Sequence, residues 1–241
     1  MSPETTTTLE EAIRSTDADT LQSAASDPAL GEDLALALLK RTDLPSETLE
    51  ALGKNGSAMK SRRVKLAVAQ HPHTPRHISL PMVRNLFTFD LMKIALTPVV
   101  PADIKRAADE ALVHRLETIS TGERLTLARQ ASGTVAGALL ADAESRVMTT
   151  ALENPRLTEA AIIKALTRGD SSAPFVEAVC RHAKWSVRRE IRVALLRNAK
   201  TPMARAVEFA RSLPANIVRE ILNGSHLPAN IQSYIKKDLK K

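Results

Sequence analysis

The sequence predicts an all-α protein, arranged as a right-handed α-solenoid of about seven degenerate helix-turn-helix repeats. Three observations predict it. Ala and Leu, both strong helix formers, recur along the whole 241-residue chain. No segment alternates β-branched with polar residues around an Asn-Gly or Asp-Gly turn, the mark of a hairpin. One phrase returns from end to end: an Ala/Leu-rich helix, a short polar turn, a Pro or Thr, then a second helix. With one Trp, one Tyr and four Phe, the chain must build its core from Ala, Leu, Val and Ile.

The opening MSPETTTTLEEAIRS reads as a disordered tail over 1–8, followed by N-terminal capping helices over 9–31; the repeat array then occupies 32–241. Helices are expected near 9–15, 19–26, 31–41, 45–53, 60–71, 75–97 (broken near Pro81 or Thr88), 101–118, 121–131, 134–141, 144–154, 158–168, 173–183, 186–198, 202–213, 215–223 and 228–239. Thr74-Pro75 and Thr201-Pro202 mark starts, because Pro in a first helical turn lacks only an N–H that would be unpaired there anyway. Thr158-Glu159 and Ser186-Val187 are starts without Pro. Thirteen Pro against eight Gly make the turns short and stiff.

The residue that opens each second helix serves as an anchor: Pro45, Pro75, Pro101, Thr134, Thr158, Pro202 and Pro228, spaced 30, 26, 33, 24, 44 and 26 residues apart. The gap of 44 holds one extra helix, APFVEAVCRHA. Seven and six positions before the anchors, all fourteen residues are aliphatic, Leu195 and Leu196 among them. Seven positions after stand Leu52, Met82, Ala108, Ala141, Ala165, Phe209 and Ile235. The turns HPHTP, NPRLT, NAKTP and GSHLP share one place in this alignment. A helix pair of this length buries its apolar stripe only against stacked neighbours, which is the logic of a solenoid. The alternative is a compact bundle whose helices share composition only.

Units such as ALENPRLTEAAIIKAL and VRREIRVALLRNAKTPMARAVEFA resemble the bacterial leucine-rich repeat variant and, more loosely, HEAT and armadillo repeats, over roughly residues 32–239. The resemblance implies an armadillo-type, HEAT-like superhelix and brings no activity with it. The founding variant-repeat protein carries a Cys-ligated iron–sulfur domain. A single Cys, Cys180, cannot hold a cluster, so no cofactor is expected.

One Cys also rules out an internal disulfide. No apolar run approaches the length of a membrane span, and the N-terminus lacks the basic and apolar regions of a secretory signal, so the expected setting is the cytoplasm. Charge is uneven: residues 1–59 hold 4 basic and 11 acidic side chains, residues 60–241 hold 30 and 16. The densest basic stretch runs from Arg181 to Arg205, with eight cations against Glu190. On a helix opening at Ser186, Arg188, Arg189 and Arg192 share an arc of about 100°. Arg181 and Lys184 precede them, and Arg62, Arg63 and Lys65 hold nearly the same place in the second unit. These five, Arg181, Lys184, Arg188, Arg189 and Arg192, are the candidate binding residues, as a strip for phosphates or for an acidic protein surface. A solvated face with local ion pairs is the plain alternative.

Chemistry is thin elsewhere. His71, His73 and His77 match no metal-ligand spacing, and no metal is expected. Cys180 and His182, two apart on a helix, point to different faces. No GxSxG, HExxH, P-loop or GxGxxG occurs, so no catalytic residue is assigned. Trp185 reads as a plug between stacked helices, with base stacking as the alternative. Lys236, Lys237, Lys240 and Lys241 read as a helix end complementing its dipole. The functional expectation is a non-catalytic repeat scaffold that binds an acidic protein partner on its groove. The second reading is sequence-independent binding of a nucleic-acid backbone through residues 181–205.

Overall fold

The predicted helices form, and no strand occurs among the described residues. The computed structural model describes residues 3–239, which carry 17 α-helices and one short 3-10 turn, Ala58–Lys60. The chain divides into two units, one ending at Arg115 and one beginning at Leu116.

The first unit contains α1 (Pro3–Ala12), α2 (Ala18–Ser26), α3 (Glu32–Leu39), α4 (Ser46–Lys54), α5 (Arg62–Gln70), α6 (Arg76–Arg84), α7 (Thr88–Leu96) and α8 (Ala102–Arg115). Residues 3–8, predicted as tail, belong to α1: Leu9 and Ile13 bury in the unit's core, and the helix they anchor runs back to Pro3. The predicted break in 75–97 falls after Arg84, so Pro81 lies inside α6. Helices pack on their next-but-one neighbours: α2 on α4, α3 on α5, α5 on α7, α6 on α8.

The second unit contains α9 (Thr121–Gln130), α10 (Gly133–Leu139), α11 (Ser145–Leu152), α12 (Glu159–Leu166), α13 (Ala173–Arg181), α14 (Arg189–Arg197), α15 (Met203–Arg211), α16 (Ala215–Asn223) and α17 (Ala229–Asp238). Its packing follows the same rule, α9 on α11, α10 on α12, α11 on α13, α12 on α14, α14 on α16 and α15 on α17.

The two units carry one frame twice. Helix α3 starts at Glu32 and α12 at Glu159, 127 residues on. The same shift lays α4, α5, α6 and α7 on α13, α14, α15 and α16 with both ends coincident. Over residues 18–112 and 145–239 no insertion or deletion is needed, and 20 of the 95 paired positions are identical. Burial follows the shift: Leu30 and Leu157, Val64 and Ile191, Val68 and Leu195, Ile94 and Ile221, Ile104 and Ile231 are all buried.

Polar bonds follow it too. The Thr74 hydroxyl donates to the Val68 carbonyl and the Thr201 hydroxyl to the Leu195 carbonyl, each at 2.6 Å. Arg41 pairs with Asp43 at 2.7 Å, and Arg168 with Asp170 at 2.8 Å. Pro75 and Pro202 hold equivalent places under this shift. Both are N-caps rather than first-turn residues, with φ/ψ of −57°/141° and −60°/139°.

A further set of bonds runs sideways from several of the turns to the end of the next-but-one helix. The Asn55 amide donates to the carbonyls of Ala25 and Asp27, Asn154 to Ala128 and Ala131, and Asn198 to Leu166. The Ser225 hydroxyl donates to Leu196. These turns follow helices of both next-but-one packing series. NPRLT follows α11, which packs on α9 and α13, whereas NAKTP follows α14, which packs on α12 and α16. The turn therefore recurs after helices of both packing series, and the helix expected as an extra one at 173–183 is α13, the counterpart of α4 under the 127-residue shift. Of the fourteen aliphatic column residues, thirteen are buried and Ala95 is half-buried. In the second column Ala141 is exposed, because α10 ends at Leu139.

Candidate functional site

The five candidate residues lie in the second unit, on α13, the turn after it, and α14. Helix α14 opens at Arg189, not near Ser186. Residues 183–187 form a turn, drawn in by Trp185, which is only 3% exposed. Arg188 is thus the N-cap and not part of a helical arc. Arg181, at the end of α13, pairs with Glu177 one turn back. The Lys184 ammonium lies over the Trp185 ring, 4.2 Å from its centroid. Arg192 is half-buried; its Nε donates to the Ser186 carbonyl at 2.8 Å and its guanidinium lies 5.6 Å from the Phe209 ring centroid. Arg188 and Arg189 are exposed, and neither pairs with a carboxylate among the described residues. Val187, beside them, is 60% exposed.

The first unit shows what these positions look like when they are neutral. Ser61 caps α5, its hydroxyl accepting from the N–H groups of Arg63 and Val64 at 3.2 and 3.3 Å. Arg62 pairs with the buried Asp90 at 2.6 Å, and Arg63 with Glu32 at 2.8 Å. In the second unit Arg188 stands for Ser61, Arg189 for Arg62, and Ile217 for Asp90. A side-chain cap worth about 1 kcal/mol is given up. Two cations then stand at the positive end of a helix dipole; Glu190 shares that first turn, where α5 has no acid, but forms an ion pair with neither among the described residues. In total the first unit holds 14 basic and 15 acidic residues, the second 20 and 12.

The remaining candidates have structural roles. His71 Nε2 lies 2.8 Å from the Arg41 carbonyl while Nδ1 accepts from the His73 N–H at 3.3 Å. The ring is therefore neutral with its proton on Nε2. His73 Nδ1 reaches the Leu44 carbonyl at 3.2 Å; its counterpart Lys200 gives its ammonium to the carbonyl of Ser171, the counterpart of Leu44. Among the described residues no three His, Cys, Asp or Glu side chains gather to hold a metal ion. Burial holds the His71 imidazole below its ordinary value, despite the Arg41 carbonyl. Below about pH 6.5 the unfolded chain takes up a proton that the folded ring resists, so this ring makes stability fall as pH drops. His71→Asn, the side chain of its counterpart Asn198, should remove that dependence. Thermal melts of both proteins between about pH 7 and pH 5 check it; a gap between them that does not change with pH would assign His71 no role in acid sensitivity.

Cys180 is buried in α13, and burial pushes its thiol up to about 11. The thiolate is the reactive form, so the folded protein should resist Ellman's reagent at neutral pH and react fully in guanidinium. Rapid reaction of the folded protein would show that α13 opens locally. Trp185 packs as a plug, and its indole N–H donates to the Leu152 carbonyl at 2.9 Å. Leu152 is the counterpart of Ala25, whose carbonyl takes the Asn55 amide in the first unit. Where His182 replaces that Asn, Trp185 supplies the missing donor. Lys236 and Lys237 sit in the last turn of α17; Lys240 and Lys241 lie outside the described residues.

No described helix is long and apolar enough to cross a membrane. No family model, no curated protein and no solved structure matches this chain.

Proposed function

We propose that the chain is a non-catalytic helical-repeat scaffold whose second unit binds an acidic protein partner. The observation that carries this is the comparison between units. The same frame is electrically balanced in the first copy and cationic in the second, where Arg188 and Arg189 have lost the cap and the carboxylate that serve the first copy. A cap and an ion pair lost with no replacement ion pair inside the fold point to a partner outside it.

A protein partner fits better than a phosphate backbone. Arg181 is already paired, Arg192 is turned inward, and Lys184 lies on Trp185. The two cations left unpaired adjoin the exposed apolar Val187, a mixed surface suited to protein. We also read each unit as a stretch of right-handed α-solenoid of the armadillo/HEAT kind, akin to the leucine-rich repeat variant. Next-but-one packing and the sideways bonds support this.

The test is affinity capture on the full chain from the source cell, with and without nuclease, wild type beside Arg188→Glu/Arg189→Glu. The reading expects acidic proteins retained after nuclease, released by salt, and lost with the double variant. Capture abolished by nuclease would turn the assignment to nucleic acid. Capture unchanged by the double variant would move the site away from α14.

A further inference from the structure

A groove lies where the C-terminal ends of α12, α14 and α16 meet in the second unit, with a volume of about 500 Å³. Its walls include Arg168, Arg197, Lys200 and His226, with buried Leu166 and Ala194 as apolar lining. Asp170 engages Arg168, and Lys200 is anchored on the Ser171 carbonyl. Arg197 is exposed and has no carboxylate partner among the described residues.

The same place in the first unit is bridged. Gln70, the counterpart of Arg197, donates its amide to the Thr97 hydroxyl at 3.1 Å, linking the ends of α5 and α7. Thr97 corresponds to Gly224, and Val99 to His226. The second unit has Arg197 and Gly224 in place of those two side chains, and joins the ends of α14 and α16 instead through the Ser225 hydroxyl on the Leu196 carbonyl at 2.6 Å and the His226 N–H on the Arg197 carbonyl at 3.0 Å. Neither backbone nor packing requires glycine at 224: its φ is −110°, and nothing lies within 4 Å of where a Cβ would stand. Gly169, also on the groove, has the same freedom. With no side chain at either position, that part of the groove stays open.

We propose that this groove holds an extended acidic peptide segment, with Arg197 as the anchor for its carboxylate. The proposal rests on the scaffold reading above and gives the partner a second contact, at the opposite end of α14 from Arg188 and Arg189. The charge of Arg197 and the apolar Leu166–Ala194 wall line one groove. A peptide offers a carboxylate to the first and apolar side chains to the second; a phosphate backbone offers only an anion.

The experiment uses the full chain and a fluorescein-labelled peptide of alternating Glu and Leu, with its Gln-Leu analogue and an oligothymidylate as comparators. Binding is read by anisotropy, and the site by the amide signals of Gly169 and Gly224. The key variant is Arg197→Gln with Gly224→Thr, which restores the pair the first unit already accommodates, so its melting temperature should stay near wild type. Arg129→Gln, on α9, removes the same charge away from the groove. The proposal expects the acidic peptide to shift both glycine amides. It expects the double variant to bind about tenfold more weakly or worse, as for loss of one charge-assisted contact, and Arg129→Gln to bind as wild type. Equal effects of the two variants, or none, would overturn the groove while leaving peptide binding, and so the scaffold reading, in place. Displacement of the peptide by oligothymidylate with the same variant sensitivity would make this a phosphate site instead. If wild type ignores the peptide, the groove assignment fails. The scaffold reading fails as well only if affinity capture retains nothing.

Discussion

Replacing Trp185 with Ala should lower stability by about 3–5 kcal/mol, the range for emptying a buried aromatic site. Two losses combine. The plug between helices goes, leaving a cavity, and the Leu152 carbonyl loses its indole donor. Trp185→Phe separates them: most of the volume stays and the donor goes, which should cost about 1–3 kcal/mol. The first unit suggests a rescue. It places Ala58 where Trp185 stands and lets Asn55 serve the equivalent carbonyl. Adding His182→Asn to Trp185→Ala should therefore recover part of the loss, which a double-mutant cycle would register as coupling between the sites. Guanidinium melts followed by far-UV circular dichroism provide the measurement, since the only Trp has been removed. A melt unmoved by Trp185→Ala would mean that the ring does not plug the fold.

Leu195→Ala should cost about 2–5 kcal/mol. The residue has no exposed surface, lies in α14 between α12 and α16, and its carbonyl holds the Thr201 hydroxyl that fixes the following turn. Val68→Ala at the paired position of the first unit should cost less, because fewer buried methyl groups are removed. Thermal melts decide both. A Leu195 variant as stable as wild type would mean that the aliphatic columns do not mark the core.

Much of the fold is legible in the sequence because helix signals are local. The break after Arg84, the Thr-Pro starts and the buried Leu195–Leu196 pair all follow from residues within one or two turns of each other. The duplication is equally present in the sequence, yet anchoring on helix pairs hides it. Pro45 and Thr158 open helices that are not counterparts, whereas Pro75 and Pro202, or Pro101 and Pro228, are. A self-comparison at constant spacing finds it, and with it Gly224 and His226, to which composition gives no role. The state of the basic cluster is only partly readable. Glu177 stands four residues before Arg181, and that pair can be anticipated. The partner of Arg62 is Asp90, 28 residues on, and its replacement by Ile217 gains meaning only once the helices are placed. Ser186 looks like an N-cap, but burial of Trp185 holds that stretch in a turn and delays α14 to Arg189.

The sideways bonds from the turns set a rule about length. A donor such as Asn198 or His71 must leave its helix at the residue where the neighbouring carbonyl waits. One added residue within a helix would swing everything beyond it by about 100° and carry both the donor and the next buried face off target. Loops ordinarily absorb insertions without harm; here the loops are stitched to one another, so an indel in one turn would unpick its neighbours. This accounts for two copies that agree at 20 of 95 positions and still match residue for residue in length. Between the two copies most side chains differ, and the distances along the chain between them do not.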